Sequence, residues 1–328
     1  MKRLPALACM VLLLSCLGLA PFAALAADTG FPSRPVTLVI PFPPGGATDV
    51  NGRVIAQRLG KELGQPVVIE NRGGAGTVIG ASYVSKAAPD GYTLLISSGT
   101  TFTVNPAIRP NLPYDPVKGF EPIGLAGRVG LILLANSEVP VQTVKQFVDY
   151  VKASPGKYSY ASYGTGTTSQ FAGETILHAA GLKMTHVPYK GSAPAMTDLM
   201  GGQVPFSIDT VSAAIPQLKS GKIKAIAVTT AKRSTLLPDV PTMAESGYPE
   251  VNTDTWLVLV APKGLPPEVK AKLEKALAAT MADPDTRAKL SAQGLEPGYA
   301  NSAAVSELIA KELPQMRAIA ARANITSD

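Results

Sequence analysis

The chain has 328 residues, 46% of them hydrophobic, with 30 Lys and Arg against 24 Asp and Glu for a formal net charge of +6. That length accommodates one large domain or two medium ones with substantial cores. A mild basic excess without a long run of Lys or Arg, together with few aromatics, excludes the footprint of a nucleic-acid binder and suits a small anionic ligand instead.

Lys2 and Arg3 precede a mostly apolar run to Leu19, and the segment closes with "ALA" at 24–26. This is the three-part pattern of a secretory signal peptide with cleavage expected after Ala26, so an exported, soluble protein is expected. Both cysteines, Cys9 and Cys16, fall inside it, so cleavage leaves neither a disulfide nor a thiolate metal site. "LLSC" at 13–16 loosely resembles a lipoprotein processing site, but Ser15 stands where Gly or Ala is usual. Lipidation of Cys16 stays open.

"VTLVI" at 36–40 is a continuous apolar, β-branched run, as in a strand buried on both faces. Ile55, Leu59 and Leu63 then recur at helical spacing until Gly64 and Pro66 end the helix. "PVVIE" at 66–70 follows as a second strand, completing a crossover of about thirty residues. The unit repeats with a helix in "TVIGASYVSKA", a turn at Asp90 and Gly91, and a strand in "YTLLIS", which predicts a largely parallel α/β sheet. The stretch at 106–122, rich in Pro and polar residues, reads as a boundary or surface loop.

A second α/β region follows. "GLILLAN" is strand-like, "TVKQFVDYVKAS" helical, "YSYASYG" an alternating strand and "GTTSQFAGETILHAAGL" a helix. Strand and helix alternate again through "KMTHVPYKG", "SAPAMTDLMGGQ", "VPFSID", "AAIPQLKSGK" and "IKAIAVTT". Near the end, 266–294 and 302–324 read as two long helices, the first entered by Pro266 and Pro267.

Three polar turns, "PPGGATD", "SSGTT" and "YGTGTTS", each follow a strand. Ligands of open α/β sheets collect outside the carboxyl ends of the strands. Free amides at a helix N-terminus suit a carboxylate or phosphate, and glycine lets the anion approach the backbone. A plain structural turn remains the alternative for the first of them.

Enzymatic readings are weaker. Gly74, Gly76 and Gly80 follow a strand as in a dinucleotide site, but Asp90 belongs to a turn rather than to the end of a second strand. His178 and His186 fit ordinary structural positions, and no G-x-S-x-G elbow accompanies them. His, Cys and carboxylate clusters for a metal are lacking, and "GTGTTS" has no phosphate-loop Lys.

Several blocks in order carry a resemblance. "RPVTLVIPFPPGGATDVNGRVIAQRL", "GQPVVIENRGGAGTVIGASYVSKAAPDGYTLLI", "VPYKGSAPAMTDLMGGQVPFSID", "IKAIAVTTAKRSTLLPDVPTMAESGYP" and "LVAPKGLPPEV" resemble the solute receptors of tripartite tricarboxylate transporters, the Bug family of periplasmic binding proteins. The likeness runs from about Pro35 to the last helices. It implies an α/β, two-lobed fold of the type II periplasmic kind with a ligand cleft between lobes. Lobe 1 would comprise residues 27–127 plus 251–328, and lobe 2 residues 128–250.

The resemblance also implies a carboxylate site. It would use Pro44, Gly45, Gly46, Ala47, Thr48 and Asp49 after the first strand, and Ser98, Gly99, Thr100 and Thr101 after another. Tyr163, Gly164, Thr165, Gly166, Thr167, Thr168 and Gln170 would form a third part, with Asp209 and Thr210 facing the cleft. Phe42, Tyr163 and Tyr189 could line its walls or simply pack. Asp49 is expected to fix its loop rather than touch an anion, which a bare carboxylate would repel.

The implied role is periplasmic capture of a small organic anion, a di-, tri- or aromatic carboxylate, without a catalytic residue, cofactor or metal. Its partners would be the membrane subunits of such a transporter, with no nucleic acid, and a monomer is expected. A receptor presenting ligand to a sensor kinase, or an exported enzyme acting on a carboxylate, are the alternatives. The family often has His where Gln170 stands, Asp where Pro205 stands, and Gly soon after the position of Trp256, where this chain has Leu257 and Val258. An inward-pointing Leu257 would narrow the cleft. These departures lean toward a ligand less polar than citrate.

Overall fold

The computed structural model describes residues 30–326; the signal-peptide and Cys16 expectations lie outside the described residues. β1 (Val36–Ile40) is buried on both faces except at Thr37. α1 (Ala47–Leu63) buries Ile55, Leu59 and Leu63 on one face and stops where Gly64 takes the left-handed conformation, φ 71°. β2 (Val67–Asn71) and β3 (Thr93–Ser97) flank β1 in parallel, joined through α2 (Val78–Ser85). A π-helical turn, Thr100–Val104, then runs into α3 (Asn105–Ile108).

β4 (Phe120–Asn136) is the longest strand, and its opening residues occupy the end of the stretch expected to be loop. Pro122 and three glycines disguise it, because such residues weaken the strand signal while marking irregular pairing. The register shifts twice, between Pro122 and Gly124 and between Leu125 and Gly127. α4 (Val144–Lys152), β5 (Ser159–Ser162), α5 (Thr168–Ala180), β6 (Thr185–Pro188), α6 (Ser192–Met200), β7 (Phe206–Thr210), α7 (Val211–Leu218) and β8 (Ile223–Val228) follow. This is the alternation the sequence predicts.

β9 (Asp254–Pro262) and β10 (Leu295–Ala300) are strands that the sequence reading left unassigned. The expected helix over 266–294 is two, α8 (Pro267–Ala282) and α9 (Pro284–Ala292). Pro284 lacks the amide that would continue α8, and Asp283 caps α9 by accepting from the Thr286 amide at 2.9 Å. α10 (Ser302–Ala323) closes the chain.

The strand order is β2-β1-β3-β9-β4-β7-β5-β6, with β8 and β10 also on β4. β4 pairs with β9 up to Gly130 and with β7 and β8 from Leu131 onward. One strand therefore serves two sheets and two cores. Val39, Leu95, Phe102 and Trp256 pack on one side of that change, and Leu133, Phe147, Tyr160 and Phe206 on the other. The fold is α/β, with two groups of strands that share β4.

Candidate functional site

β1 leaves the sheet at Ile40 through two bends to α1, and Gly45 makes the sharper one at φ 93°, a conformation that a Cβ would strain. The Gly45 amide donates to Asp49 Oδ2 at 3.0 Å, while Asn71 Nδ2 donates to Asp49 Oδ1 at 3.0 Å. Arg53 completes the set 2.9 Å from the same carboxylate. Burial pushes the Asp49 carboxyl up, but these donors outweigh it and hold it below the usual range. Its charge is used inside the loop.

The turn before α5 is fixed in a comparable way from the opposite side. The Gly166 amide donates to Gln170 Oε1 at 2.8 Å, Gly164 donates to Ser162 Oγ at 3.1 Å, and Thr167 Oγ1 donates to the Gly164 carbonyl at 2.7 Å. Gln170 thus stabilises the turn from the third position of the helix, a variant of the capping box. The Thr168 amide donates to Thr100 Oγ1 at 3.2 Å, tying the turn after β3 to the N-terminus of α5. Thr168 Oγ1 is bonded in turn to the Tyr163 hydroxyl.

Two adjoining cavities lie between these turns. The inner one, 30 Å³, is lined by Phe42, Gly46, Ala47, Thr48, Ser98, Tyr163 and Thr210, and also by Pro43, Gly191, Ser192 and Thr255. That volume holds about one or two waters. The outer one, 590 Å³, is bounded by Phe42, Pro44, Tyr163, Gly164, Thr165, Thr167 and Tyr189. It also reaches the 73–77 turn, Arg109, Pro188 and Lys190. Phe42 and Tyr163 stand in both walls and meet edge to face, with centroids 6.3 Å apart.

Most of the predicted residues thus come together around one opening. Gly45, Asp49, Gly166, Thr168 and Gln170 stand behind it and shape its turns. Thr101 is fully buried, its hydroxyl between Ser97 Oγ at 2.6 Å and Thr77 Oγ1 at 2.7 Å. Gly99 accepts from Thr103 Oγ1 through its carbonyl. Leu257 is fully buried and lines neither cavity. The sequence reading missed Ser192, which follows β6 just after Gly191, and Thr255 and Arg109, which lie outside any glycine-containing turn after a strand.

Asp209 lies beneath this wall, fully buried, and its Oδ1 accepts from Ser192 Oγ at 2.8 Å and from the Thr210 amide at 2.7 Å. Burial pushes its carboxyl up to about 6 against those bonds. Among the described residues, Asp209 Oδ2 and the Thr255 hydroxyl are buried polar atoms without a hydrogen-bond partner. Unpaired oxygens beside a water-sized cavity are the usual mark of a bound water or ligand group.

The histidines bear on the enzymatic alternative. His186 Nε2 lies 2.7 Å from Ser162 Oγ, but burial depresses the imidazole to about 4 and Ser162 is fully buried at the end of β5. That hydroxyl holds backbone rather than facing a substrate. Gly80, part of the dinucleotide-like pattern, sits where a Cβ would fall 2.7 Å from the Arg72 carbonyl oxygen, so close packing explains it. No group of three or more His, Cys, Asp or Glu able to hold a metal is found among the described residues.

The chain shares the two-lobed α/β binding-protein fold of solved periplasmic proteins. A family model described as tripartite tricarboxylate transporter family receptor matches residues 52–325. Protein BugT of Bordetella pertussis is 37% identical over 292 residues, covering 89% of this chain and 89% of that protein. The solved periplasmic binding protein BugD is similar at 39% identity and TM-score 0.86, over 91% of this chain and 100% of its own. An R. palustris protein solved with adipate is similar at 36% identity and TM-score 0.88, over 90% and 99%.

Proposed function

This chain belongs to the tripartite tricarboxylate transporter receptor family, and from that premise we propose that it captures a small organic carboxylate in the periplasm and delivers it to membrane subunits of such a transporter. The observation that carries the reading is the convergence of turns at the ends of β1, β3, β5 and β6 on one opening rich in amides and hydroxyls. No bond is made or broken. Adipate in a relative of the same fold supports a dicarboxylate among the candidate ligands.

Gly46, Ala47, Thr48 and Ser98 on one side and Thr165, Thr167 and Thr210 on the other take the anion, directly or through water. Phe42, Tyr163 and Tyr189 flank its carbon skeleton, while Asp49, Gln170 and Asp209 hold the turns. Lobe 1, residues 27–127 plus 251–328, and lobe 2, residues 128–250, close on the ligand, which shifts an open and closed equilibrium. The partner change of β4 after Gly130 supports a crossing close to the first boundary. An N-terminal signal peptide ending at Ala26 directs export.

The test is a thermal-shift screen of the purified protein against mono-, di- and tricarboxylates, aromatic acids, amino acids and NAD, with recovery of whatever binds. A ligand that binds only the folded state raises the melting temperature by mass action. A shift from one acid class, with the compound recovered unchanged, is expected. A shift from NAD alone, or recovery of a converted product, would overturn the reading.

A further inference from the structure

The inner cavity, at 30 Å³, shares Phe42, Pro43, Tyr163 and Gly191 with the outer one, so a ligand with one carboxylate at the inner turns has a way outward past Phe42 and Tyr163. Beyond them lies the 590 Å³ outer chamber, within the size range of small-molecule pockets. Its wall is mostly Gly, Pro and aromatic, with two cations, Arg109 and Lys190, and no Asp or Glu. Lys190 is exposed, whereas Arg109 is half-buried.

Arg109 is also held in place. Its Nε donates to Asn105 Oδ1 at 3.1 Å, and Asn105 is fully buried. Asn105 Nδ2 donates to the Gly76 carbonyl at 2.6 Å and to Thr77 Oγ1 at 3.1 Å. That contact braces a turn in which Ala75 and Thr77 both have positive φ, 49° and 80°. Strain of this kind persists only where neighbours enforce it, and it clusters at ligand clamps. No carboxylate of the described residues forms an ion pair with Arg109, so its terminal nitrogens remain for an acceptor in the chamber.

We propose that Arg109 is a second anion anchor, and that the ligand is an acid with two anionic ends separated by an apolar spacer running between the inner turns and the outer chamber. The guanidinium takes the distal carboxylate through charge-assisted hydrogen bonds, and the aromatic and proline wall takes the spacer. This rests on the reading of the inner turns as a carboxylate seat.

The test compares suberate with octanoate, the same chain with and without a second carboxylate, and includes succinate as a short diacid. Calorimetry is run on the wild-type protein, Arg109→Gln and Arg109→Lys, with melting temperatures of the unliganded proteins to check folding. The wild-type protein is expected to bind suberate about tenfold or more tighter than octanoate. Arg109→Gln should remove that preference by weakening suberate alone, and Arg109→Lys should restore part of it.

Equal losses for both acids in Arg109→Gln would reduce Arg109 to a brace for its turn and overturn the proposal. So would unchanged suberate affinity, or wild-type binding confined to succinate; in each case the carboxylate-receptor reading would stand. Binding of no carboxylate at all by the wild-type protein would overturn that reading and this one together.

Discussion

Gln170 Oε1 accepts the Gly166 amide at 2.8 Å, so a residue expected to belong to the carboxylate site holds the turn of that site together. Removing it leaves a buried amide without an acceptor, which costs about 1–3 kcal/mol. Gln170→Ala is therefore expected to lose stability of that order and to bind carboxylates more weakly. Gln170→Glu keeps the acceptor and adds charge at a helix N-terminus, which preserves stability, yet it repels an anion. Denaturant unfolding and calorimetry separate the two effects, and undiminished carboxylate affinity in Gln170→Glu would put the anion elsewhere.

Gly46 has φ −84°, which any residue adopts, and a Cβ there would lie 3.5 Å from Ser192 Oγ across the inner cavity. Gly46→Val should fold with a melting temperature near that of wild type while its methyl groups fill the seat. The expected readout is a normal unliganded transition and no ligand-induced shift. Retained binding would show that the acid does not enter between Gly46 and Ser192.

Asp209 gives the stability a pH dependence whose sign follows from burial. Its carboxyl is pushed up to about 6 from 3.8, so between those values the folded state holds a proton that the unfolded chain has released. The contribution is full below the unfolded value and is lost as pH rises through the folded one. Asp209→Asn keeps an acceptor for Ser192 and Thr210 and cannot ionise. It should flatten the decline in melting temperature over roughly pH 4 to 6. An unchanged slope would mean that the carboxyl is ionised in its pocket.

Trp256, the chain's single tryptophan, donates through Nε1 to Glu312 Oε2 at 2.6 Å. Burial pushes the Glu312 carboxyl up to about 7; the Trp256 bond and Arg128 pull it down and Asp254 adds to the rise. Tryptophan emission is expected to titrate with a midpoint near that value. Glu312→Gln, which retains an acceptor, should abolish the transition. A pH-independent spectrum in the wild-type protein would contradict the assignment.

The role of Asp49 is legible in the sequence, because a carboxylate in the first turn of a helix, beside glycines, has an obvious local task. The fold gives it that task with Gly45, Arg53 and Asn71. The role of Thr101 is not: "SSGTT" shows hydroxyls after a strand, and only the placement of Thr77 beside Ser97 directs one of them inward. The break between α8 and α9 was missed, because the helical spacing of 266–294 outweighed the local signal of Asp283 and Pro284, which cap and open α9.

The sequence by itself determined the alternation of strands and helices, the polar turns at strand ends and the family, because periodicity, capping and turn chemistry act over a few neighbouring residues. Tertiary structure alone decided that β4 serves two sheets, that Ser192 and Thr255 join the β1 turn, and that Arg109 reaches the chamber beside Gly76. Those placements depend on contacts between residues far apart in the chain. Such contacts are set by how whole elements pack and leave no periodic trace in any short stretch of sequence.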